Sequence, residues 1–184
     1  IGKKTGGDTV ITNGITTIEF SINTGGITHL STVKVENGKN LIEQETEHSN
    51  LALGFLDDSG RYPAWNLHPE YWNHPLNYAQ DDNVEFFLRD IGPIFITLEI
   101  RRKLDGHDVQ QIIQLFKNDP KIYCLWTTDW KKKNVMLKIP IHTNIEADYT
   151  TSDQMFSALC QETKPSTEWQ KSRYERLMHQ YIDL

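Results

Sequence analysis

The stretch "YPAWNLHPEYWN", residues 62–73, gathers two tryptophans, two tyrosines, two prolines and a histidine. Indole and phenol rings stack on the C–H faces of sugars, and their N–H and O–H groups bond hydroxyls. Trp65, Tyr71 and Trp72, with the polar Asn66 and His68 among them, are therefore candidate carbohydrate-facing residues. Rings this dense would also plug one open end of a β-structure, and the residue types alone leave both readings open.

Other chemistry is thin. His68 and His74 flank the aromatic run, with Asp57 and Asp58 upstream and His48 further back. Their spacing matches neither HExxH nor a paired Cys/His zinc set. Glycosidases place two carboxylates a few ångströms apart across the scissile bond. Asp57-Asp58 and Asp81-Asp82 are adjacent in sequence, so on an extended chain each pair points to opposite sides. Each ends a strand beside a turn, where Asp bonds the local backbone. No GxSxG occurs, and "NTGGIT" reads as a hairpin turn rather than a phosphate-cradling GxGxxG. A sugar mutarotase would need a histidine and a carboxylate on one concave sheet, for which His107 and His142 are the strand-proximal candidates. The residues assign no catalytic group and no metal ligand.

The elements that must position these side chains are strands. "TTIEFSINTGGITHLSTVKV" predicts strands over 16–22 and 27–35 joined at Gly25-Gly26, a pair that tolerates the positive φ of a tight turn. "GKNLIEQE" and the apolar "SNLALGFLDD" follow. Pro63, Pro69 and Pro75 break helix and ladder alike, so residues 60–80 read as a long aromatic loop. Strands are predicted around 84–90 and 93–104, then over "DVQQIIQLFK" and 122–130, with turns at Asp105-Gly106 and Asn118-Asp119-Pro120. Both alternating sets of 122–130 are partly apolar, which predicts a strand covered on both faces. "NVMLKIPIHTN" and "EADYTTSD" continue the series, and 166–180 is the one helical candidate. Turn signals at this regularity mark a sandwich or barrel, so the fold class is mainly β, in two antiparallel layers, with 1–184 as a single domain.

Bulk composition narrows the partners. The chain has 184 residues, 38% of them hydrophobic, and a formal net charge of -6 with scattered basic residues. A phosphate-binding surface needs clustered Lys and Arg, so nucleic acid is not an expected partner. The dense basic run Lys131-Lys132-Lys133 reads as a solvated turn. No segment approaches the roughly 18 apolar residues of a membrane span. Cys124 and Cys160 are too few for a disulfide framework. Cys124 lies in an apolar run and reads as a buried free thiol, compatible with a reducing compartment; a cytoplasmic location is expected.

Taken together, several segments resemble a known family. "YPAWNLHPEYW" resembles the "AWDIDPxY"-type loop of α-mannosidases of glycoside hydrolase family thirty-eight. "GPIFITLEIRRKLDGHDVQQIIQLFKNDPKIYCLWTTDWKKKNVMLKIPI" is similar to that family's run of Gly-Pro, an arginine-bearing strand, "QxIxLY", "DW" and "LKxxxP". "EADYTT" resembles its "AxYE" segment, "EWQKSRYERLMHQYIDL" its "W…RxExxxHRWxDLS" ending, and "GITTIEFSINTGGITHL" its "NxxxxVxFDxxGxIxSL" opening. The segments fall in order from about Gly14 to the last residue.

The resemblance implies a supersandwich of galactose-mutarotase-like type. It implies a zinc-dependent retaining α-mannosidase whose zinc, Asp nucleophile and general acid lie in an N-terminal catalytic domain of the same polypeptide. This chain would then be an inactive piece, with no cofactor of its own, capping that domain over a mannoside substrate. Part of the fold would be missing after Leu184, leaving a sheet edge through which a homo-oligomer could form. Asn66 stands where relatives commonly carry Asp, and 150–160 lacks the Gly and Arg expected there. The alternative is a stand-alone carbohydrate-binding module that uses the Trp65–Trp72 loop.

Overall fold

The computed structural model describes residues 4–5, 8–35, 38–43, 49–62, 65–68, 70–76, 83–173, 175–176 and 178–184. They divide into two compact units, Ile1–Thr143 and Asn144–Leu184. Among the described residues, no helix is long and apolar enough to cross a membrane.

The first unit opens with an antiparallel sheet of β1 (Lys4–Thr5), β2 (Asp8–Thr12), β3 (Thr16–Phe20) and β4 (Ile27–Thr32), in chain order. Its alternation is direct: Thr16, Ile18 and Phe20 are buried while Thr17 and Glu19 are not. Gly25 takes φ +77, and a Cβ there would meet Ile100 Cγ2 at 3.0 Å and Val84 Cγ1 at 3.3 Å. The turn thus needs glycine for both conformation and space. β5 (Leu53–Leu56) follows. A second antiparallel sheet comprises β6 (Glu85–Ile91), β7 (Phe95–Leu104), β8 (His107–Phe116) and β9 (Ile122–Thr128), again in chain order. β10 (Val135–Lys138) then returns to pair with β5.

The second sheet is organised by β7 and β8, which pair without interruption from Phe95↔Phe116 to Leu104↔His107. Asp105 and Gly106 between them have φ of 50° and 77°. A two-residue turn with both φ positive matches the right-handed twist of its strands. The inward faces of both sheets meet in one core: Ile11, Ile18, Phe20 and Ile27 from the first, Leu98, Ile100, Ile113 and Leu115 from the second. This is an antiparallel β-sandwich, as the sequence predicts. Ala52, Leu104 and Val109 form a second cluster with Trp126, Trp130 and Leu137.

In the second unit β11 (Tyr149–Gln154) pairs with β12 (Ser157–Glu162) on one side and β13 (Ile182–Asp183) on the other. The carboxylate of Asp153 accepts backbone N–H groups of His179 at 2.9 Å, Gln180 at 2.8 Å and Tyr181 at 3.1 Å, which ties the segment before β13 to β11.

Four expectations need correction. Helix over 166–180 shrinks to α1 (Glu168–Ser172). A capping box at Thr167 and Gln170 starts it, but no residue of α1 is buried, so no packed face extends it. β9 is an edge strand, not one covered on both faces: Tyr123 and Leu125 are exposed. Cys124 is likewise exposed as a residue. Its sulfur nonetheless lies 3.6 Å from Asn50 Nδ2, and desolvation there pushes the thiol pKa up. "GKNLIEQE" shows only a bridge at Ile42 to Thr143, with 44–48 outside the described residues. The run Lys131–Lys133 is exposed, as predicted.

Candidate functional site

The aromatic loop leaves the small β5/β10 sheet and returns to it. At its far end Tyr71–Asn73 forms a single 3-10 turn, and Pro75 bridges back to Phe55 on β5. Tyr71 is the anchor. Its ring is buried and meets Phe55 edge-on at 5.4 Å and Trp72 at 5.4 Å. The Lys138 ammonium of β10 sits 4.6 Å from its centroid, a favourable cation–π contact.

The near end is fixed by polar groups. Asp57 Oδ1 accepts the His68 N–H at 3.1 Å, and Asp58 Oδ1 accepts the Gly60 N–H at 3.2 Å. Asp58 therefore does the local turn chemistry its position suggested, whereas Asp57 ties the loop to itself across eleven residues. Tyr62, at φ 57°, uses its carbonyl to accept N–H groups from Trp65 at 2.9 Å and Asn66 at 3.0 Å. Asn66 Nδ2 donates to the Arg61 carbonyl at 3.3 Å. The His68 and His74 rings meet edge-on at 5.0 Å. Pro63 and Pro69 lie outside the described residues, as do His48, Asp81 and Asp82.

The five sequence candidates thus separate. Trp65 is 89% exposed, Trp72 is 45% exposed, and Asn66, next to Trp65 in the chain, is exposed. Tyr71 is turned inward and holds the loop down, while His68 is half-buried and tied to Asp57. What remains exposed includes the Trp65 indole with the Asn66 amide next to it in the chain, groups suited to stacking and hydrogen bonding. No cluster of three His, Cys, Asp or Glu that could hold a metal occurs among the described residues. His107, the mutarotase candidate, packs on Trp130 at 4.6 Å and is tied through Nδ1 to the Asp105 carbonyl at 2.9 Å.

A family model described as the glycosyl hydrolases family 38 C-terminal domain matches residues 11–184. The chain belongs to that family. No curated protein matches the chain. The match runs across both compact units, so the family 38 C-terminal domain takes in the sandwich and the β11–β13 sheet together. It makes the chain part of a family 38 glycoside hydrolase, in which this domain accompanies a catalytic domain in one polypeptide.

Sequence reasoning about this domain missed a charged centre on the outward face of the second sheet. Glu99 on β7 is 4% exposed although its neighbours along that face are polar. Arg89 Nε donates to its Oε2, while Arg101 Nε and Gln110 Nε2 donate to its Oε1. The Arg89 bond, then the Gln110 bond, hold its carboxyl down at about 2 against the desolvation that opposes them. The signal was present in the alternation of Glu99, Arg101 and Lys103 along one strand face.

Proposed function

We propose that this chain is the β-sandwich part of a zinc-dependent retaining α-mannosidase that hydrolyses terminal α-mannosides. The observation that carries the reading is the family match over residues 11–184, joined by the exposed indole of Trp65 on an anchored loop. In this reading zinc, nucleophile and general acid belong to the catalytic domain, and the loop faces the sugar cleft. A ring fixed against the substrate strengthens transition-state binding most where its own position costs no further ordering. Tyr71 and the Asp57–His68 bond fix the loop that carries the ring. A cytoplasmic location is part of the proposal, supported by Cys124 and Cys160 both being free, the state that thiols keep in a reducing compartment.

The test is the intact polypeptide assayed on an aryl α-mannoside, with the anomer of the released sugar followed by NMR. Hydrolysis with retention, abolished by a zinc chelator and restored by zinc, is expected. Trp65→Ala should lower kcat/KM roughly tenfold, the scale of one aromatic contact. No hydrolysis of any mannoside would overturn the reading. The exposed pair Trp65 and Trp72 favours a second reading, a carbohydrate-binding module. It is distinguished by mannan quenching of tryptophan fluorescence without turnover.

A further inference from the structure

An open groove of about 870 Å³ lies along one end of the outward face of the second sheet. Its walls carry Glu85 on β6, Arg101 and Lys103 on β7, Asp108 and Gln110 on β8, and Asp129 just beyond β9. Strand register places them together: Glu85 is opposite Arg101, Arg101 opposite Gln110, and Lys103 opposite Asp108. Leu98, Ile100 and Leu104 on β7 are buried, so Arg101 and Lys103, which alternate with them, face away from the core.

Two of the groove's donors are held in place before any ligand arrives. Arg101 and Gln110 each bond the buried Glu99 carboxylate, and the Arg101 guanidinium also lies 5.0 Å from the Phe87 centroid. A guanidinium has five N–H donors, so the Arg101 bond to Glu99 through Nε leaves its terminal nitrogens for the groove. Its side chain remains 48% accessible. The Lys103 ammonium and the Asp108 carboxylate stand 3.6 Å apart, both largely exposed.

The lining is balanced in sign, with three cations (Arg101, Arg102 and Lys103) against three carboxylates, and two amides beside them. An anionic ligand would meet the carboxylates, and a cationic one would meet the guanidinium and ammonium groups. A neutral polyol fits both constraints. Carboxylates accept from neighbouring hydroxyls, guanidinium and amide groups donate to them, and no net charge is required of the ligand. The volume lies within the range of small-ligand sites. We propose that this groove binds a neutral oligosaccharide, gripped by Arg101, Gln110 and Asp108. The choice of sugar rests on the glycosidase reading above.

The experiment is calorimetric titration of the intact polypeptide with α-mannobiose whose glycosidic oxygen is replaced by sulfur, a probe that resists hydrolysis. Asp108→Asn and Gln110→Ala are compared with the parent protein, and each is also assayed on an aryl α-mannoside. Both variants should lose one binding event or weaken it at least about tenfold, the scale of a hydrogen bond to a charged group, with aryl α-mannoside hydrolysis unchanged. Asp108 makes no bond to Glu99 among those described, so its variant reads the groove without disturbing that centre. Identical titrations for all three proteins would overturn the proposal, including the case in which the catalytic domain covers this face. Groove-dependent binding in a protein that hydrolyses no mannoside would leave the groove standing and remove the mannosidase reading alone.

Discussion

Arg89 on β6 reaches across to β7 and donates its Nε–H to Oε2 of Glu99, the oxygen that neither Arg101 nor Gln110 uses. The carboxylate is thereby held from both sides. Its folded pKa of about 2 lies below the ordinary 4.5, so ionised Glu99 favours the folded state at pH above 4.5. That contribution falls away as pH drops from 4.5 toward 2. For Glu99→Gln the fall in stability over this window should be shallower than in the parent protein. Urea melts followed by circular dichroism at several pH values between 2 and 6 check this.

Core packing between the sheets offers the largest expected effect. Ile113 is fully buried within the cluster that joins both sheets. Truncation to alanine removes its apolar contacts and leaves a cavity, which should cost about 2–5 kcal/mol. The denaturant midpoint should drop with the slope unchanged.

Gly25→Ala should destabilise by about 2 kcal/mol or more. The substitution places a side chain at φ +77 and drives a methyl against Ile100 and Val84. Gly38, also at positive φ, has open space within 4 Å of where a Cβ would sit. Gly38→Ala should therefore cost only the conformational share, roughly 1 kcal/mol. Thermal melts of the two variants side by side separate space from backbone strain.

Within the aromatic loop, stability and sugar contact should divide between two residues. Tyr71→Ala removes a buried ring packed edge-on against Phe55 and should cost about 3 kcal/mol. Trp65→Ala removes an exposed ring and should stay within about 0.5 kcal/mol of the parent. Equal losses of melting temperature would contradict this division.

The sandwich was legible because strand patterning is local. Alternation and turn pairs such as Gly25-Gly26 and Asp105-Gly106 predicted β3, β4, β7 and β8 to within a few residues. β12 was not legible: its Ser157, Ala158 and Cys160 carry no strand signal, and pairing to β11 supplies what propensity lacks. β1, β2 and β13 were not predicted either: β1 and β13 are two residues each, and β2 is placed by its ladder to β3. At the loop, sequence named the right ring types but not their directions. Tyr71 and Trp72 are neighbours of similar chemistry, and only the contact with Phe55 decides that the first is buried and the second half out. Glu99 was passed over because a carboxylate's partners on β6 and β8 are far from it in sequence.

The long hairpin of β7 and β8 has a consequence for how the chain reaches this state. Its pairs are joined through a two-residue turn, so closing it needs little loop entropy, and hairpins of this kind form within microseconds. Ile18 and Phe20, which complete the core against Ile113 and Leu115, arrive from far earlier in the chain. The hairpin can therefore stand as a template while the first sheet is still searching. The rate of folding is then set by the docking of that distant sheet, and substitutions at the Asp105-Gly106 turn should slow folding more than they hasten unfolding.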